Sequence, residues 1–143
     1  MTAIKREQIL AAIEDALDGT VEVGSRIYRS RQEAFARNEA PALLIEPGTD
    51  TPTEQPVSIC KIDWRFPVTI TVHTRGAIPE QLAAPIIADV HSRLMADTTL
   101  GGVAFDVWPG PVDHQREQAD ATAGWTSCTY VVRYRTSISD LTV

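Results

Sequence analysis

From Cys60 to Val72 the even positions are all apolar: Cys60, Ile62, Trp64, Phe66, Val68, Ile70 and Val72. The odd positions carry Lys61, Asp63, Arg65, Pro67, Thr69 and Thr71, and His73 continues the series. Successive side chains of a strand point to opposite faces, so the run predicts one long β-strand with an apolar and a polar face. At roughly 3.3 Å per residue such a strand reaches about 43 Å. A compact chain of this size has a diameter of roughly 37 Å. The strand therefore spans or overshoots the body: it bends near Pro67, or it projects as an arm that another subunit or partner covers. Pro67 has no N–H to give a neighbour, which predicts an open or bulged edge there. The apolar phase runs on to Val72, which favours a bend or bulge with extension beyond it.

Other segments repeat at helical spacing. Ile4, Ile9, Leu10, Ile13 and Leu17 predict a helix over residues 3–18, with Thr2 as N-cap and Gly19 as the stop. Val21–Val23 and Ile27–Tyr28 read as an extended stretch broken by Gly24, followed by a polar segment with Arg29, Arg31 and Arg37. Ala42–Glu46 reads as a buried strand and Pro47–Pro56 as a loop. Pro79 and Glu80 open a second helix striped by Leu82, Ile86, Val90 and Leu94, with its regular part expected from about Ala83 because Pro85 would kink an earlier start. Leu100-Gly101-Gly102 breaks the chain before a strand over Val103–Trp108, and Pro109–Gly124 reads as a long loop. A closing strand sets Cys128, Tyr130, Val132 and Tyr134 against Thr129, Val131, Arg133 and Arg135. This order predicts an α+β fold: a mixed, mostly antiparallel sheet with a long strand or hairpin arm and two helices packed on one face.

Composition narrows the function classes. With 143 residues, 43% hydrophobic, and a mean hydropathy of −0.11, residues 1–143 form one domain with one core. A net charge of −6 and a pI near 5.0 disfavour direct nucleic-acid binding and anionic membrane surfaces, which need clustered Lys and Arg. No apolar run approaches the roughly 20 residues of a membrane span. Acidic Glu7, Glu14 and Asp15 near the start read as a mature cytosolic beginning. Cys60 and Cys128 fall on apolar strand faces and read as buried thiols. Arginine is the main basic residue; interfaces favour it, though a coding bias explains the ratio as well.

No phosphate-binding loop, nucleophile elbow, zinc helix or paired-cysteine motif is present, and His73, His91 and His114 stand far apart. Solvated histidines and exposed acidic pairs are the simpler reading. No catalytic residue, cofactor or metal is expected. Trp64 reads as core, whereas Trp108 opens a W-P-G-P stretch at a loop edge, between core and contact surface. Arg65, Pro67, Trp108, His114, Arg133 and Arg135 are the candidates for a subunit or partner interface.

The back half resembles the tail terminator, or tail completion, proteins of long-tailed bacteriophages, the group that includes minor tail protein U. The resemblance lies in an arrangement: the strand Ile62–Val72, the helix Pro79–Ala96, Leu100-Gly101-Gly102 before Val103–Val107, a loop with Asp120-Ala121-Thr122, and a strand Tyr130–Thr136 before Asp140-Leu141. It implies a homohexameric ring in the virion tail, assembled in the host bacterial cytoplasm. Such a ring caps the tail tube, ends its polymerisation and docks the head–tail connector protein. Its loops 47–56 and 109–124 would order when the tail tube protein or connector binds. A phage head completion or neck protein is the nearest alternative. A small cytosolic enzyme or ligand-binding domain, using a groove near Trp108 and His114, is a more distant one.

Overall fold

The computed structural model describes residues 2–30, 35, 37–53, 60–117 and 123–143. Helix α1 spans Lys5–Leu17 and buries Ile9, Leu10, Ile13 and Leu17. Thr20 closes the Leu17 carbonyl at its end, and Arg93, far along the chain, donates to the carbonyls just past it, Asp18 at 3.0 Å and Gly19 at 2.7 Å. A cation there also suits the negative end of the helix dipole. Helix α2 runs unbroken over Pro79–Ala96 with Pro79 in its first turn. The helix does not begin at Ala83 as expected, since it carries Pro85 on an exposed position of its second turn. Leu82, expected in the stripe, is 46% exposed; the buried stripe is Pro79, Ala83, Ile86, Val90 and Leu94.

Six strands make one sheet: β1 (Ile27–Arg29), β2 (Ala42–Pro47), β3 (Thr51–Pro52), β4 (Lys61–Arg75), β5 (Asp106–Glu117) and β6 (Ala123–Ser137). The order is β1-β2-β4-β6-β5, with β3 beside β4; only β1 and β2 are parallel. The fold is the expected α+β arrangement. Residues 21–25 form turns and not an extended stretch.

The projecting arm is not found. β4 and β6 are each 15 residues long and pair in continuous register from Lys61 opposite Ser137 to Arg75 opposite Ala123. On the other side β2 covers Val68–His73 and β3 covers Trp64 and Arg65. In the gap between them the Gly48 N–H donates to the Pro67 carbonyl at 2.8 Å. A residue's N–H and C=O point to the same side in an antiparallel ladder, so the donor that Pro67 lacks falls in that gap. Both edges of residues 65–69 are thus engaged within one subunit, and the β4–β6 register carries no bulge at Pro67.

Length is accommodated by another element. Pro109–Glu117 and Ala123–Gly124, expected as loop, belong to β5 and β6, so the long ribbon is three strands wide. Residues 118–122, with Asp120-Ala121-Thr122, lie outside the described residues, as do 54–59 of the proline-rich segment. Cys60 precedes β4, is exposed and takes a positive φ of 66°, against the expectation of a buried thiol on the strand; Cys128 is buried.

Candidate interface

Register assigns each side chain to a face. Phe66, Val68, Ile70 and Val72 of β4, with Cys128, Tyr130, Val132 and Tyr134 of β6, join the helix stripes in one core. Each such side chain contributes roughly 1.5–3 kcal/mol by leaving water. Tyr130 is pushed up to about 12, first by burial and then by Cys128 beside it. Trp64 lies at the end of this face, half-buried, its indole N–H donating to Thr136 Oγ1 at 2.9 Å.

The opposite face is left open by both helices. There Asp63, Arg65, Pro67 and Thr69 stand across from Arg135, Arg133, Val131 and Thr129. β5 adds Asp106 opposite Arg133 and Trp108 opposite Val131. Five of the six candidate interface residues, Arg65, Pro67, Trp108, Arg133 and Arg135, therefore share one surface.

Its charges are ordered. Arg65 and Arg133 face each other directly, a like-charge pairing that destabilises unless compensated. Asp106 supplies the compensation with two hydrogen bonds from Arg133, one of them 3.0 Å. Arg135 donates to both oxygens of Asp63, at 2.6 and 3.2 Å, and lies over the Phe105 ring with 4.9 Å to its centroid. These hydrogen bonds hold the Asp106 and Asp63 carboxyls below their usual range and the two guanidinium groups above theirs. Arg65, exposed, has no ion-pair partner among the described residues. Across β6 from it Trp108 is 70% exposed, and the two line a shallow cleft of about 430 Å³.

His114 is not part of this surface. Between Pro109, opposite Tyr130, and Val112, opposite Cys128, β5 uses one residue more than β6. A bulge of one residue inverts the alternation that follows it. His114 consequently faces the helix side, exposed, with Nδ1 2.9 Å from Thr126 Oγ1 and close to Pro79. Trp108 and His114 line different clefts, so the groove expected between them does not form.

Two sites were not foreseen. His73, expected to be solvated, is 2% exposed, stacked on Phe35 at 4.9 Å and tilted against Trp125 at 5.5 Å between ring centroids, with no hydrogen-bond partner for either ring nitrogen among the described residues. Burial, then the nearby Arg75, lowers its pKa. A second cleft of about 490 Å³ lies at that end of the molecule, lined by Glu22, Pro41, Thr74, Arg75 and Leu82. Its walls come from four separate segments, and no local pattern announces them.

No family model matches the chain, and no curated protein matches it. Among solved structures it is similar to a chain of the virion of a native gene transfer agent particle, at 13% identity and a TM-score of 0.44, over 93% of this chain and 92% of that one. A likeness this loose assigns no role.

Proposed function

We propose that this chain is a structural tail protein of a phage or prophage, acting as a terminator: a ring, six-fold as the resemblance implies, that caps the tail tube, ends its polymerisation and docks the head connector. The role is mechanical and uses no catalytic group. The observation that carries the reading is the open sheet face, where Trp108, Arg65 and Arg133 stand together on a rigid ribbon with no helix over them. Exposed tryptophan beside arginine is the composition of an interface centre. The sequence arrangement adds independent support: the strand, helix and closing strand that carry the resemblance correspond to β4, α2 and β6.

The outer edge of β5 has no ladder partner among the described residues, but Pro109 and Pro111 lack donors and the strand bulges between Pro109 and Val112, which discourages strand addition there. The face, more than the edge, is the surface offered. Electron microscopy of purified protein mixed with tail tubes and, separately, with head connectors tests the reading. A ring on one end of each tube supports the terminator. Binding to connectors with no density on tubes would replace it with the head completion reading.

A further inference from the structure

We infer that the open face of one copy docks on a second copy of this chain, Trp108 entering the cleft lined by Glu22, Pro41, Thr74, Arg75 and Leu82. The inference rests on the ring reading and names its subunit contact.

Three observations select this occupant. The first is the chemistry of the two surfaces. Across β6, Trp108 lines one shallow cleft with Arg65, a cation without an ion pair among the described residues, on a face that also carries Arg133 and Arg135. The receiving cleft joins apolar Pro41 and the 46%-exposed Leu82 to Glu22, an exposed carboxylate with no ion pair among the described residues. The cleft's own cation, Arg75, is half-buried and turned to the Phe35 carbonyl. An aromatic knob with a flanking cation thus meets an apolar cleft with a flanking anion, the complementarity that fixes register between partners.

The second is the cost of the alternative. Pairing the Trp108 face with itself about a two-fold axis through its centre would bring Arg65 and Arg133 close to their own copies, and like charges across an interface are disfavoured.

The third is placement. Trp108 stands level with Pro67 through Val131, while Arg75 ends the same long strand, so the surfaces are separated by eight residues of β4, roughly 26 Å. Two different, well-separated surfaces on one subunit make a head-to-tail contact, which closes into a ring when the rotation permits. The cleft, at about 490 Å³, has the size of a small-molecule site, roughly 300–1,000 Å³, and so has room for an indole ring.

The test uses light scattering on size-exclusion peaks of the full chain, with circular dichroism to confirm that each variant is folded. Trp108→Ser removes the knob and Leu82→Lys places a cation in the cleft; both positions are exposed, so both variants should fold. Wild type should form one closed oligomer and each variant alone should be monomeric. Mixed in equal amounts they retain one intact knob and one intact cleft, and should give a dimer containing one of each. A monomeric wild type at the highest soluble concentration, variants that keep the wild-type mass, or a mixture that stays monomeric would each overturn the contact. The terminator reading fails separately. An oligomer built through this contact that ignores tail tubes keeps the contact and removes the terminator, whereas a tube-capping ring that survives both substitutions does the reverse.

Discussion

The Gly48 N–H donates to the Pro67 carbonyl across 2.8 Å, filling the one place where the partners of β4 on that side change from β2 to β3. A Cβ on residue 48 would lie 2.9 Å from that carbonyl oxygen and 3.0 Å from the Pro67 ring. Because the obstruction includes backbone, it cannot swing aside. Gly48→Ala should therefore destabilise the domain by about 1–3 kcal/mol, read from the urea midpoint. An unchanged midpoint would mean that the crossover at Gly48 is looser than its geometry.

His73 makes stability depend on pH. Its ring is enclosed by Phe35, Trp125 and Ala42, with Arg75 the charged group nearby on its own strand and Glu39 reaching the neighbouring Tyr28 hydroxyl. Its pKa is lowered in the folded chain from an ordinary 6.5, so below that value the unfolded chain binds the proton more readily. Stability should be fully present above about pH 6.5 and fall as the pH drops toward the folded value. His73→Leu should flatten that decline. The carboxyls of Asp63 and Asp106 are also lowered, but from 3.8, so their loss falls in a separate, more acidic window. Burial raises the Asp50 carboxyl toward the same window with the opposite sign, so the difference between wild type and His73→Leu in urea midpoints from about pH 8 to about pH 5 reads the histidine's share.

Trp108 and Phe66 separate assembly from folding. Phe66 is fully buried and Trp108 is 70% exposed. Phe66→Ala should cost about 3–5 kcal/mol of unfolding free energy, whereas Trp108→Ala should stay within about 0.5 kcal/mol in the monomer. Denaturation of dilute protein checks both. A large loss at Trp108 would make it a folding residue and weaken its assignment to an interface.

Pro85 sits exposed inside α2, where it removes one helical hydrogen bond. Pro85→Ala restores that bond and should stabilise the domain by about 2 kcal/mol, the gain being reduced by the freer unfolded chain. Thermal denaturation gives the sign.

The alternation in β4 and β6 and the helical stripes were legible because each follows a period of one element, and they yielded the layers and most of the candidate surface. What escaped depended on neighbours far along the chain. Pro67 read alone predicts an open edge, and only Gly48, nineteen residues earlier, supplies its partner. W-P-G-P read as the start of a loop because prolines and glycine end most strands; here they form a bulge inside an edge strand, where missing donors cost nothing. The same bulge separated His114 from Trp108. Arg65, Arg133 and Arg135 were legible as a polar face, but Asp106, which relieves the Arg65–Arg133 opposition, becomes visible only once β5 pairs with β6.

Tail-tube length is the decisive quantity. Tube protein polymerised with increasing amounts of this chain should give progressively shorter tubes, each closed at one end, and Trp108→Ser should lose that effect while remaining folded. Tubes whose length distribution is the same with and without the chain would contradict a terminator.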